Sequence, residues 1–244
     1  MNSISLLILA VGLLQVNTDQ RSCKYEKVEA RLFRALCSGL KDPSWNARGV
    51  VEEPKYIPGT TYIQWGKSNC SGDGTELIYN GYVGGSSHTD YGSQVNLLCL
   101  HKEPQYRLFE SKPLQHPWIT AAIYSIHQMN IPNTAFDHSK YTLYAIPCSV
   151  CRTIGKTSVI MIPGRRDCMG DWKKEYSGYL YGGNPTFKAA SEYLCVDEDP
   201  DRLEKASSFT DKPIINPAYS KCNDVLPCPP YVDGRQMTCV VCAK

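Results

Sequence analysis

Residues 75–85 read TELIYNGYVGG, and residues 173–183 read KKEYSGYLYGG. A run of aromatic and aliphatic residues, interrupted by one glycine and stopped by a glycine pair, is thus written twice in one chain. Glycine inside a strand, between tyrosines, marks a bulge or a close approach of another backbone. Outward from these stretches the likeness continues. WGKSNC (65–70) matches PGRRDC (163–168), placing Gly66 on Gly164, Lys67 on Arg165 and Cys70 on Cys168 at identical spacing. Tyr79, Gly81 and Tyr82 fall on Tyr176, Gly178 and Tyr179 with one residue of slack, and VNLLCLHKEP (95–104) lies on SEYLCVDEDP (191–200). Each copy closes on Cys-x-Val-Cys, as CSVC at 148–151 and CVVC at 239–242. A match that spans strands, turns and cysteines predicts a tandem duplication, with a first repeat at 58–152 and a second at 153–244.

Short segments rich in Tyr, Ile, Val and Leu, bounded by Gly, Pro, Asn or Ser, predict a mostly β fold. The expected strands are Thr61–Trp65, Glu76–Val83, Asn96–Leu100, Tyr141–Ile146, Val159–Ile162, Glu175–Tyr181, Tyr193–Val196 and Met237–Val241. A helical period appears only in YEKVEARLFRALCSGL (25–40), where Val28, Leu32, Ala35 and Leu36 share a face and Gly39 supplies a stop. That helix and a linker fill 19–57. Most of the 16 tyrosines fall at strand positions, where they pack across pairs.

The first residues, MNSISLLILAVGLLQVNTDQ, carry an apolar run from Ile4 to Val16. It is shorter than the roughly 20 residues of a spanning helix, so 1–18 reads as a secretory signal and the chain as secreted, with no membrane span. The 12 cysteines, at 23, 37, 70, 99, 148, 151, 168, 195, 222, 228, 239 and 242, all follow it and fit an oxidising compartment. The two Cys-x-Val-Cys pairs lie too far apart for a zinc ribbon, whose knuckles stand about 15–20 residues from each other, and read as disulfide partners. Sequence leaves their connectivity open. Twenty-six basic and 24 acidic residues, without a block of one sign, exclude a phosphate-tracking surface and nucleic acid as a partner.

The set Gly-basic-x-x-Cys, Tyr-x-Gly-Tyr, Leu-Cys, CNDVLPC (222–228) and the final Cys-x-Val-Cys resembles the tandem C-terminal non-collagenous domain of type IV collagen. RTIGKTSVIMIPGRRDC (152–168) and LPCPPYVDGRQMTCVVCAK (226–244) are similar to the terminal domain of the short-chain collagens first known from sponges. No Gly-X-Y tract is present, so the resemblance implies descent of the terminal domain and not a triple helix. It implies a disulfide-rich, duplicated antiparallel β domain, grouped with C-type lectin-like folds. It also implies a pairing: Cys70 with Cys151, Cys99 with Cys148, Cys168 with Cys242, Cys195 with Cys239 and Cys222 with Cys228. Cys23 and Cys37 are left for each other. Closing such long loops stabilises by roughly 2–4 kcal/mol per bond.

No catalytic constellation, metal set or cofactor motif emerges. His88, His101, His116, His127 and His138 show no ligand spacing, and the acidic run VDEDPD (196–201) lacks the glycine and periodicity of a calcium loop, so it reads as a solvated turn. Asn69-Cys70-Ser71 is a glycosylation sequon with a disulfide cysteine at its centre, which makes Asn69 a weak site; Asn184-Pro185-Thr186 is excluded by its proline. Asp233-Gly234-Arg235 reads as a hairpin turn before the last strand. The expectation is a non-enzymatic extracellular matrix protein whose β domain forms a small homo-oligomer or docks other matrix chains. The alternative is a lectin-like carbohydrate-binding or defence protein. Calcium-dependent lectins of that fold show Glu-Pro-Asn or Gln-Pro-Asp with a later Trp-Asn-Asp, and the nearest match here, Glu103-Pro104-Gln105, has no such partner.

Overall fold

The computed structural model describes residues 57–92, 94–107, 117–125, 140–222 and 225–244, and the backbone of 16–17 and 22–23. The chain divides into two units, Met1–Lys55 and Tyr56–Lys244. In the first, Val16–Asn17 (β1) and Ser22–Cys23 (β2) form an antiparallel pair. The helix expected at 25–40 lies outside the described residues.

The second unit is one mixed sheet of eleven strands. They are β3 (Thr61–Trp65), β4 (Thr75–Gly85), β5 (Leu98–His101), β6 (Thr120–Ala121), β7 (Ile123–Tyr124), β8 (Pro147–Thr153), β9 (Val159–Pro163), β10 (Lys173–Gly182), β11 (Leu194–Asp197), β12 (Ile214–Pro217) and β13 (Thr238–Ala243). The strand path runs β5-β4-β8-β3-β11-β10-β12-β7, while β13 joins β10 to β9 and β6 pairs with β4. Among the described residues there is no α-helix.

Strand β8 lies between β3 and β4, and β13 lies between β9 and β10, in each case antiparallel on both sides. The Cys-x-Val-Cys motifs sit on these two central strands. Residues three apart on a strand face opposite ways, so Cys148 and Cys151 send their bonds to different neighbours. Cys148 is bonded to Cys99 on β5, and Cys151 to Cys70 in the turn after β3. Likewise Cys239 reaches Cys195 on β11, and Cys242 reaches Cys168 after β9. A fifth bond, Cys222–Cys228, closes a short loop. All four cysteines of the central strands are fully buried. A framework of this kind belongs to an oxidising environment.

The internal glycines answer a contact. A Cβ on Gly81 would collide with the carbonyl oxygen of Leu100, and one on Gly178 with that of Val196. Beside each glycine a tyrosine hydroxyl donates to the crossing strand: Tyr79 to the Cys99 carbonyl (3.1 Å) and Tyr176 to that of Cys195 (2.9 Å). The register of both long strands slips by one residue upstream of the glycine, between Leu77 and Tyr79 in β4 and between Lys174 and Tyr176 in β10.

Apolar packing does not respect the midpoint of the sequence. One cluster joins Val83, Tyr124 and Ile146 to Tyr181, Val196 and Ile215; another joins Tyr62 and Cys151 to Tyr176, Leu180, Cys195 and Val241. Tyrosines bridge the same divide, with Tyr62 stacked on Tyr176 (6.2 Å between centroids) and Tyr124 edge-on to Tyr181 (6.5 Å).

The strand expected at Tyr141–Ile146 is displaced. Residues 141–143 form a turn, Leu143 takes φ 68°, and the Tyr144 N–H donates to the Tyr141 carbonyl (2.9 Å). The strand begins instead at Pro147, a residue suited to a first strand position because it has no N–H to place in the ladder. The two-residue β6 and β7, and the proline-flanked β12, carry too little pattern to be read from sequence.

Candidate functional site

The chain's two halves meet where the turn after β3 docks on the end of β11. Trp65 pairs with Val196 in the sheet's parallel β3–β11 contact. Gly66 then turns at φ +88°, and an added Cβ there would press on the Val196 and Pro200 side chains, so both conformation and space demand glycine. The Asp201 N–H donates to the Gly66 carbonyl (2.7 Å), and the Ser68 N–H donates to Asp201 Oδ2 (2.9 Å). Lys67 Nζ lies 3.2 Å from Asp199 and 3.4 Å from Asp201. Burial works against the Lys67 charge, but the Asp199 and Asp201 carboxylates prevail and hold its ammonium above the usual lysine value.

Beneath this turn lies a polar core. Gln64 is fully buried; its amide nitrogen donates to Asp197 Oδ2 (2.7 Å) and to the Ser71 hydroxyl, while its oxygen accepts the Ser71 N–H (2.9 Å). Asp197 Oδ1 accepts the Asp199 N–H (2.9 Å). Burial pushes the Asp197 carboxyl above the ordinary range despite these donors and Lys67. The acidic run 196–201 is therefore not the solvated turn expected of it. Its alternate carboxylates, Asp197, Asp199 and Asp201, bond to the turn after β3 or to Gln64 beneath it, while Glu198 and Asp199 are exposed. The available sequence signal was Lys67, the single basic residue of WGKSNC, opposite a run of aspartates.

Besides the two-residue β6 and β7, two strands of the eleven-stranded sheet have one partner strand each among the described residues. β5 pairs with β4 alone, and β9 pairs with β13 alone. Leu98 and His101 on β5, and Ile160, Met161 and Pro163 on β9, are exposed. An open groove of about 660 Å³ borders β5; Tyr82, Leu100, His101, Lys102, Pro104 and Tyr106 are among its lining residues. Past β9, Gly164 turns at φ +77° in the open, with only the Met237 methyl near it, at 3.6 Å from an added Cβ.

Of the remaining candidates, Asn69 is exposed beside the Cys70–Cys151 bond. His88 is packed on Phe187 (4.7 Å) with Nδ1 2.9 Å from the Lys212 carbonyl oxygen, and His101 packs on Tyr79 (5.2 Å). His116, His127, His138 and Cys37 lie outside the described residues, as does the side chain of Cys23. Gly234, at φ +67°, occupies the turn that precedes β13. Among the described residues no three His, Cys, Asp or Glu side chains converge on a metal position, and no helix is long and apolar enough to cross a membrane. No protein-family model matches the chain.

Proposed function

We propose that this chain is a secreted, non-enzymatic extracellular matrix protein. Its β unit is two copies of a terminal domain like that of the short-chain collagens, and it works by associating with itself or with other matrix chains. The carrying observation is two strands, β5 and β9, each paired on one side only among the described residues and bearing exposed apolar side chains. An edge left unpaired offers a row of backbone donors and acceptors to a further strand. Natural monomers cover such edges or place charges or proline on them; here the exposed residues are Leu98 and His101 on β5, and Ile160, Met161 and a single proline, Pro163, on β9.

The duplication is supported by details that pattern alone does not require. Gly81 and Gly178 sit under the carbonyls of Leu100 and Val196. Tyr79 and Tyr176 donate across the same place in each ladder. The Lys102 N–H donates to Asn80 (3.3 Å), as the Glu198 N–H donates to Ser177 (3.1 Å). Two disulfides leave β8 and two leave β13 for corresponding partners.

The test is retention of the tagged, secreted protein by native extracellular matrix, followed by identification of the chains recovered with it. Recovery with matrix chains or as a homo-oligomer supports the reading. Calcium-dependent capture on a glycan array, without matrix retention, would replace it with the lectin reading.

A further inference from the structure

Three places in the chain carry the dipeptide that most readily rearranges its own backbone, an Asn or Asp followed by Gly: Asp73-Gly74, Asn80-Gly81 and Asp233-Gly234. Glycine matters because its amide nitrogen has no Cβ beside it to hinder attack on the preceding side chain. Sequence alone ranks the asparagine first, since ammonia leaves an amide more easily than water leaves a carboxyl group. The fold reverses that order.

Asn80 lies inside β4. Its Nδ2 donates to the Ser68 carbonyl (2.8 Å), and Gly81 is paired on both sides, with Cys148 of β8 and His101 of β5, so closing a ring there means pulling Gly81 out of the sheet. Asp233 stands in a turn, but its Oδ1 accepts the Cys222 N–H (2.6 Å) and the Gly234 N–H donates to the Ser220 carbonyl (2.9 Å). Carboxyl and nitrogen are both held. Asp73 differs: it is exposed in the turn between β3 and β4, and among the described residues neither its carboxylate nor the Gly74 N–H has a hydrogen-bond partner. Gly74 and Gly234 have nearly the same φ, +68° and +67°, and an added Cβ meets nothing within 4 Å at either. Hydrogen bonding, not conformation or space, separates the two turns.

We infer that Asp73 is a site of succinimide formation and β-linkage in the folded protein. The Gly74 nitrogen attacks Cγ of Asp73; a C–N bond forms, a C–O bond breaks, and the N–H proton and the carboxyl hydroxyl leave together as water. Water then opens the ring at either carbonyl. Opening at the former main-chain carbonyl leaves the backbone running through Cβ and Cγ, one atom longer, with a carboxylate on Cα. Nothing but water is needed, so the linkage accumulates in any copy that persists. Its position is consequential. The Asp73 carbonyl accepts the Lys156 ammonium (3.1 Å), the group that also pairs with the buried Glu175 (2.5 Å), and a Cβ on Gly72 would collide with Oε2 of that carboxylate. The Gly74 carbonyl accepts the Ile154 N–H (2.9 Å). After rearrangement a carboxylate stands in place of the carbonyl and competes with Glu175 for Lys156, while the turn packed on Glu175 has lengthened. The fold thus loosens from this one turn as the protein ages, whether or not the chain assembles.

The full secreted chain is kept folded at neutral pH for weeks beside a sample unfolded in guanidinium, and both are digested and read by electron-transfer fragmentation, which separates β-linked from ordinary aspartate. The folded protein is expected to gain isoaspartate at 73 while 80 and 233 stay intact, and the unfolded protein to convert at all three, Asn80 fastest. The thermal midpoint of the folded sample falls in step with conversion at 73. Two variants replace this exposed side chain, and dichroism before incubation verifies their folding. Asp73→Glu, whose ring is larger and closes far more slowly, keeps its midpoint; Asp73→Asn, which loses ammonia by the same attack, converts and declines sooner than the wild type. Conversion at 80 or 233 that keeps pace with 73 in the folded protein would overturn the inference, as would an Asp73 that converts only when the chain is unfolded. Conversion at 73 with an unmoved midpoint overturns its link to Lys156.

Discussion

The Lys156 ammonium stands 2.5 Å from Oε1 of Glu175, a carboxylate with no exposed side-chain surface. Glu175 occupies the position where β10 slips register against β13, and a bulge turns its side chain inward. Its second oxygen accepts the Tyr62 hydroxyl (3.2 Å) from β3. Burial, and then the negative charge of Glu175, push the Tyr62 phenol far above its ordinary value. In β4 the residue at the matching slip is Ile78, which is exposed. One bulge thus ties three segments of the chain together, and the other does not.

Removing only the cation from this pair leaves a buried carboxylate without its countercharge, a change that typically costs about 3–5 kcal/mol. Lys156 keeps partial exposure, so Lys156→Met is expected near the lower end, roughly 3 kcal/mol, or about 6–12 °C in Tm for a domain of this size. Lys156→Met combined with Glu175→Gln recovers part of the loss. Calorimetry on the two single variants and the double completes the cycle. Additive losses would show that the pair does not act as a unit.

Gly81→Ala and Gly178→Ala set a methyl group against a backbone carbonyl of the neighbouring strand, which cannot move without breaking the ladder. Overpacking costs about 1–3 kcal/mol where side chains can yield, and here the obstacle is main chain. Each variant is expected to lose more than about 3 kcal/mol and to be secreted poorly. A stable, well-secreted Gly81→Ala protein would contradict the close approach of β5 to β4.

How much of this was legible depended on how local the cause was. The strands around Tyr-x-Gly-Tyr could be read because aromatic alternation and internal glycine are both properties of a few consecutive residues. The seam was harder. Gln64 carries no local signal for a fully buried amide, and Asp197 lies in a run whose composition suits a solvated loop. What decides both is a partner more than one hundred residues away. Leu143 shows the opposite failure: the Tyr141–Ile146 pattern suits a strand, but a positive φ at one residue bends it into a turn.

The disulfides allow a chemical check. Peptide mapping without reduction is expected to recover Cys70–Cys151, Cys99–Cys148, Cys168–Cys242, Cys195–Cys239 and Cys222–Cys228, with no bond between the 70–151 set and the 168–242 set. Replacing Cys99 and Cys148 together by serine removes one long loop closure and lowers stability by roughly 2–4 kcal/mol. A crossed bond such as Cys151–Cys168 would contradict both the fold described here and the proposed duplication.

Asp197 makes the seam sensitive to pH in a direction opposite to most surface carboxylates. Burial raises its folded-state pKa above the ordinary 3.8, outweighing the donors from the Asp199 backbone and Gln64 and the charge of Lys67. Between 3.8 and that raised value the folded protein holds more of this proton than the unfolded chain does, so stability from this group falls as pH rises through the window and is regained on acidification. Asp197→Asn has no proton to gain. Thermal midpoints of the wild type and of this variant, measured from pH 7 down to about pH 4, are therefore expected to change by different amounts, with the wild type gaining relative to the variant as pH falls. Comparison at each pH cancels the titration of the other carboxylates, which both proteins share. Two curves that run parallel across the whole range would show that Asp197 titrates as an ordinary solvated carboxylate and that the seam is open to water.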